Sequence, residues 1–304
     1  MITVRLKKIQ SPRLTLWLAL ASVYVLWGST YLFIHFMTER MPPLYMASLR
    51  LSTAGLILYL YARLTGTPAP SLKQWASAGL IGVLLLTIAN GSMSVALQYV
   101  PTSIAALLAA TVPLFIILFN WISFGHTRPT NLSLAGLLVG LLGVSLLVQP
   151  ADPGVSATGG TWLGIGLIML ANISWAVGTL LSGKLSLPSQ LISSAVQMLV
   201  GGLVLFLFSM FTENVSPTSI GDAPVKAIGS LIYLIIFGSI IGFSSFAWLA
   251  RNASPQLVST YAYVNPVVAM LLGWAFAGEA LTGSSILAAL VILAGVVLIT
   301  LGRK

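Results

Sequence analysis

The chain has 304 residues, 58% hydrophobic and 6% charged, with a net charge of +9 and no cysteine. Soluble domains carry about 25% charged residues, so a mean hydropathy of +1.01 excludes an aqueous globule and makes lipid the solvent. The lack of thiols excludes disulfides, thiol catalysis and Cys-bound metal, and basic residues scattered over short loops exclude a nucleic-acid-binding face.

Ten apolar segments follow one another, at about 14–36, 43–64, 74–98, 102–123, 132–149, 162–182, 189–211, 227–248, 257–278 and 283–301. Ten spans of about 20 residues use about 200 residues, so what remains is short loops. Arg5, Lys7, Lys8 and Arg13 precede the first segment. That segment is too long for a signal peptide and lacks a cleavage site, so it reads as a retained helix. Pro and Gly clusters separate the spans: Met41-Pro42-Pro43, Gly66-Thr67-Pro68-Ala69-Pro70, Arg128-Pro129, Pro150-Ala151-Asp152-Pro153-Gly154 and Ser254-Pro255. Pro101 divides the third segment from the fourth as a tight hairpin.

Counted along this alternation, eleven Lys and Arg fall on the side of the N-terminus, and only Arg40 and Lys226 fall on the other. The positive-inside rule then puts both termini in the cytoplasm. All five acids, Glu39, Asp152, Glu213, Asp222 and Glu279, fall on the outer side.

The ten segments read as one five-helix unit written twice, 1–150 and 151–304. Trp27-Gly28-Ser29-Thr30 returns as Trp175-Ala176-Val177-Gly178-Thr179, Gly55 as Gly202, and Gly143-Val144 as Gly295-Val296. Val112-Pro113, Trp121 and Gly125 have counterparts at Val264, Pro266, Trp274 and Gly278. An odd number of spans per copy inserts the two copies with opposite orientation. The fold class expected is therefore all-α integral membrane, ten transmembrane helices as two inverted five-helix repeats, a construction of secondary transporters.

Particular motifs carry a family resemblance. They are Trp27-Gly28-Ser29-Thr30-Tyr31, Pro42-Pro43 with Ala47-Ser48-Leu49-Arg50, Ala96-Leu97-Gln98-Tyr99 with Thr102 to Leu108, and Pro113-Leu114. The second half adds Trp248-Leu249-Ala250-Arg251, Tyr263-Val264-Asn265-Pro266 and Gly278-Glu279. Across nearly its whole length the chain resembles the EamA-type branch of the drug/metabolite transporter superfamily. The resemblance implies a ten-helix permease of a bacterial inner membrane, often an exporter of amino acids or other small metabolites. It also implies a cavity lined by spans 1, 3, 4, 6, 8 and 9, with spans 5 and 10 peripheral. Gly125-His126 stands where relatives often carry Gly-Glu, which removes an acid from the first copy.

Arg50 is the one charge well inside a span, seven residues past Pro43 and so about 10 Å deep. An Arg at a helix centre costs about 2.5–3.5 kcal/mol. It either faces the cavity and grips a carboxylate or snorkels to the interface, and Gln197 is its repeat mate. Asn90, Ser94 and Gln98 recur every four residues and share one helix face. They bind a polar solute or glue helices together. Trp27, Tyr31, Trp175, Trp248, Tyr261 and Tyr263 are candidates to wall a pocket, Trp27 and Trp175 being mid-span repeat mates. Asn265-Pro266, and Thr111-Val112-Pro113, interrupt helical hydrogen bonding within the membrane. They are read as kinks whose freed carbonyls line the cavity and as hinges. Gly136, Gly140 and Gly143 form a small-residue face for close packing.

The expectation is a carrier of small metabolites, amino acids first, working by alternating access. A drug, nucleoside or sugar-type carrier is the alternative. His35 and His126 fall on opposite sides of the membrane and no acid lies mid-span, so an enzyme is not expected. Neither a cofactor nor a metal is expected. Facilitated diffusion or exchange is expected over proton coupling. The partners expected are a small-molecule substrate and the lipid bilayer, without nucleic acid, in a monomer or weak homodimer.

Overall fold

The computed structural model describes residues 12–38, 41–96, 99–100, 105, 108–123, 128–147, 159–214, 225–277 and 283–302. Among these the chain is helical throughout, without a strand. Ten helices follow in order. They are α1 (Pro12–Thr38), α2 (Pro43–Leu64), α3 (Leu72–Ala96), α4 (Val112–Ile122), α5 (Asn131–Leu147), α6 (Gly159–Ser182) and α7 (Gln190–Thr212). Then come α8 (Val225–Tyr233, Leu234–Phe243 and Ser244–Asn252), α9 (Pro255–Ser259 and Tyr261–Ala277) and α10 (Gly283–Leu301). Five stretches, Pro43–Leu64, Leu72–Ala96, Gly160–Ser182, Gln190–Thr212 and Ile228–Asn252, are long and apolar enough to cross a bilayer. The segments read from hydropathy match these helices to within a few residues; in the fourth, Ala105, Leu108 and Ala109 are already helical, and a turn at Ala110 and Thr111 precedes α4.

Local chemistry sets the ends. Ser71 accepts from the Gln74 amide while the Gln74 side chain accepts from Ser71, a capping box that starts α3. Pro255 opens α9 behind Ser254, whose hydroxyl accepts from Leu257. Gly66 follows α2 at φ 84°, a left-handed turn that glycine adopts without penalty. The start of α2 has no cap of its own. Instead Glu213, just past α7, accepts from the amides of Leu44 and Tyr45 at 2.9 Å each, and from Ser209 Oγ at 2.7 Å. A carboxylate from the second copy thus neutralises a helix N-terminus in the first.

The two copies interlock reciprocally. α1 packs on α8 and α9, and α6 packs on α3 and α4; α2 pairs with α7, and α5 with α10. Small residues allow the close approaches. A Cβ at Gly55 would stand 2.8 Å from the Leu199 nitrogen, and one at Gly202 would stand 2.8 Å from the Ser52 nitrogen. The same holds between α5 and α10, where a Cβ at Gly136 would meet Ile299 at 2.7 Å and one at Gly295 would meet Gly140 at 2.6 Å. The Gly136, Gly140 and Gly143 face therefore packs within the chain, with Gly143 against Ile292.

Two features were not visible in the sequence. Val83–Ala89 in α3 and Leu234–Phe243 in α8 wind as π-helix, at equivalent places in the two copies. Wide turns of this kind concentrate at functional sites.

Candidate functional site: a ringed crossing and a polar cleft

α1 and α6, the first helices of the two copies, meet through their repeat-mate tryptophans. The rings of Trp27 and Trp175 lie 5.6 Å apart, edge to face. Phe246 of α8 lies 5.1 Å from Trp27 and 5.0 Å from Trp175, and Tyr261 of α9 lies 5.3 Å from Trp27. Four rings from four helices therefore close the point where the copies cross, each good pair worth about 0.5–1.5 kcal/mol beyond its buried area.

The π-helical turns are held by the same two helices. Trp27 Nε1 donates to the Gly238 carbonyl in α8 at 3.1 Å, and Ser174 Oγ donates to the Leu84 carbonyl in α3 at 2.8 Å. Asn90 Nδ2 serves the Leu85 carbonyl at 2.9 Å, and Thr87 ties α3 to the Gly201 carbonyl of α7 at 3.0 Å. Inside a bilayer a carbonyl freed by a wide turn must find a donor from protein, and these side chains provide it. Trp175 Nε1, by contrast, is buried without an acceptor.

A second pair of contacts joins α1 and α6 to breaks in α9 and α4. Three residues before each tryptophan stands a polar side chain, Tyr24 in α1 and Asn172 in α6. Asn172 Nδ2 donates to the Leu108 carbonyl at 2.8 Å and to Thr111 Oγ1 at 3.1 Å. The Tyr24 hydroxyl meets Thr260 Oγ1 at 2.5 Å. Each threonine spends its own proton on a carbonyl one turn back, Leu108 or Leu257, so Tyr24 is the donor to Thr260. The breaks are spaced differently from proline: Thr111 lies two residues before Pro113, and Thr260 lies six before Pro266.

Near the Arg251 end of the bundle, a cleft of about 260 Å³ opens between α4, α6, α8 and α9. Asn120, Thr179, Lys184, Arg251 and Val258 are among its walls. Thr179 donates to the Trp175 carbonyl at 2.8 Å, so the cleft reaches within one helical turn of the ring cluster. Arg251 Nη1 is anchored by Gln190 Oε1 at 3.2 Å and the Pro188 carbonyl at 3.3 Å.

The residues singled out from the sequence distribute as follows. Trp27 and Trp175 come together in the ring cluster, and Trp248 is half-buried against the same core. Tyr31 continues the α1 backbone. Arg50 lies on α2 between Met46, which packs near Leu234 of α8, and buried Ala54. Its Nε is buried without an acceptor, and its guanidinium makes no hydrogen bond or ion pair among the described residues. Its mate Gln197 is 1% exposed; Nε2 donates to Ser193 at 2.9 Å while Oε1 has no donor. Asn90 serves its own π-turn, and Ser94 donates to the Asn90 carbonyl at 2.8 Å. Gln98 lies outside the described residues, as do Glu39, His126 and Glu279. Asn265 is buried beside Gly28, with its amide nitrogen 3.2 Å from the carbonyls of Tyr24 and Tyr261. Tyr263 is fully buried among Leu137, Val144 and Ile292 of α5 and α10, away from the four rings. Pro113 sits in the first turn of α4, where it costs no helical bond, whereas Pro266 lies inside α9.

Sequence reasoning passed over Tyr24, Asn120, Asn172, Ser174, Phe246 and Thr260 as site residues. The matched spacing of Tyr24 and Asn172 to the paired tryptophans was the available signal for two of them.

Comparison with known proteins fits this architecture. The EamA-like transporter family profile matches twice, over residues 14–149 and 162–301. The chain is 41% identical over 286 residues to the uncharacterized inner membrane transporter YedA of Escherichia coli (strain K12), covering 94% of this chain and 90% of that protein. It is 26% identical to Protein PecM of Dickeya dadantii (strain 3937), over 90% of this chain and 88% of that one. A WAT1-related chloroplastic protein of Arabidopsis thaliana is 25% identical over 93% of this chain and 69% of its own length. A solved crystal structure, 21% identical, superposes with a TM-score of 0.78 over 93% of this chain and 96% of the other, which shows a common fold. The two matched halves and the identity to YedA make this chain a multi-pass membrane transporter, not an enzyme, and it belongs to the EamA-like family of the drug/metabolite transporter superfamily.

Proposed function

We propose that the chain carries small neutral or zwitterionic metabolites, amino acids first, across a bacterial inner membrane with both termini cytoplasmic. The observation that carries this reading is Arg50, a guanidinium inside a span with no partner among the described residues. An unpaired charge in a bundle is costly, and such groups mark substrate paths. A carboxylate is the ligand that a fork of guanidinium donors fits best. The four rings between the Arg251 end and Arg50 act as the barrier, and the breaks at Thr111 and Thr260 act as the hinges about which the copies rock.

The bias of eleven Lys and Arg against two supports the orientation, and the inner-membrane description of YedA supports the location. Exchange or facilitated diffusion is the mode proposed, in a monomer or weak homodimer. A drug, nucleoside or sugar-type solute is the second reading, favoured by the ring cluster, which would suit an apolar or planar cargo.

Counterflow in proteoliposomes tests the proposal. Vesicles loaded with mixed unlabelled amino acids should accumulate an external labelled one, and Arg50→Gln should reduce that accumulation at least tenfold. Accumulation unchanged by the substitution would leave a carrier whose Arg50 is structural. No accumulation of any amino acid would turn the choice to the second reading.

A further inference from the structure

We infer that the cleft at the Arg251 end is the docking site for the carboxylate of the solute, with the Asn120 amide as its hydrogen-bonding group and Lys184 and Arg251 as its attracting charges. This rests on the carrier reading above, and it names a contact on the opposite half of the bundle from Arg50.

Three observations carry it. First, Asn120 is 6% exposed, lines the cleft, and makes no hydrogen bond among the described residues. Its amide is not among the side-chain groups shut away without a partner, so it opens to the cleft, where water or a ligand can reach it. Its amide nitrogen is a donor suited to a carboxylate oxygen.

Second, the charge of the cleft has one sign. Lys184 has no acidic partner among the described residues, and no carboxylate lines the walls. Arg251 is fixed through Nη1 alone, which leaves the hydrogens on Nε and Nη2 for a ligand. The Gln190 tie holds that guanidinium in place ahead of binding. Glu213, an acid among the described residues, is engaged at the other end of α7.

Third, the size is right for a metabolite. About 260 Å³ lies below the ~300 Å³ at which pockets for drug-sized ligands begin. The inner end stops one turn short of Trp175, so a docked solute would press its remaining groups toward the ring barrier.

The natural lack of cysteine makes a test simple. Asn120→Cys supplies one thiol in the cleft, and its modification rate is measured with an anionic sulfonatoethyl and a cationic trimethylammonioethyl methanethiosulfonate. Each rate is divided by that reagent's rate with a free small thiol. The anionic reagent should be favoured by about tenfold, in line with charge focusing in clefts. Lys184→Glu should erase most of that preference, and 0.5 M salt should compress it. An amino acid shown to exchange in counterflow should slow modification at least twofold. Should Asn120→Cys not fold, Val258→Cys on the facing wall reports the same ratio. A normalised ratio near one, or faster cationic modification, would overturn the docking site, and counterflow by the native chain would leave the carrier standing. The expected ratio without counterflow of any amino acid would retain an anion cleft and sink the amino-acid reading instead.

Discussion

Replacing Glu213 by glutamine should loosen the tie between the two copies by a predictable amount. The carboxylate accepts three hydrogen bonds, from Leu44 N, Tyr45 N and Ser209 Oγ. Bonds to a charged acceptor contribute about 1.5–3 kcal/mol each and neutral ones about half of that. The glutamine oxygen can keep the Tyr45 and Ser209 bonds in weaker, neutral form, while its NH₂ faces the Leu44 N–H and orphans it. The favourable charge at the α2 N-terminus, worth about 0.3–1 kcal/mol, is lost as well. Glu213 is partly exposed, so water recovers part of the loss, and the net destabilisation should be about 2–4 kcal/mol. Reversible unfolding in mixed micelles, titrated with SDS and followed by tryptophan fluorescence, measures it. Ser209→Ala alone should cost about 1 kcal/mol, and the double substitution should cost less than the sum because the groups share one network. A Glu213→Gln penalty under about 0.5 kcal/mol, or full additivity, would refute the capping argument.

Other consequences can be measured in the same way. Gly295→Ala places a methyl 2.6 Å from the Gly140 nitrogen and should cost about 1–3 kcal/mol by separating α5 from α10. Gly166→Ala meets nothing within 4 Å and should be neutral or stabilise by up to about 1 kcal/mol. Trp27→Phe keeps a ring but orphans the Gly238 carbonyl, whereas Trp175→Phe loses a nitrogen that had no acceptor; unfolding should show the first to be worse by about 1 kcal/mol. Asn172→Leu removes two donors from the α4 break and should cost about 1–3 kcal/mol, and its counterflow rate should fall even where the protein stays folded.

The spans were legible because hydropathy reads burial in lipid directly, and the repeat was legible because Trp27 and Trp175, or Gly55 and Gly202, are single-letter marks. The Gly136–Gly143 face was legible as packing, since glycine at spacings of four and three residues shares one helix face and has few other uses in a membrane helix. The π-turns were not, because Val83–Ala89 and Leu234–Phe243 are apolar runs that no local pattern distinguishes from α-helix. Nor were the roles of Asn172, Ser174 and Glu213, whose partners lie 64, 90 and 169 residues away. Polar side chains in lipid are legible as engaged with something; what they engage is decided by which helix lies opposite. The break before α4 has the same origin: Thr111 and Pro113 permit it, and Asn172 from α6 supplies its donors.

The central claim is that a solute passes through a cleft whose walls must move, and locking those walls tests it most directly. Asn120→Cys and Ala250→Cys line the cleft from α4 and α8, and methanethiosulfonate cross-linkers of graded length can bridge them in proteoliposomes. The account predicts that bridging abolishes the counterflow that the double-cysteine carrier retains without the Asn120 amide, and that reductant restores it. Undiminished counterflow with the cleft bridged would contradict the account.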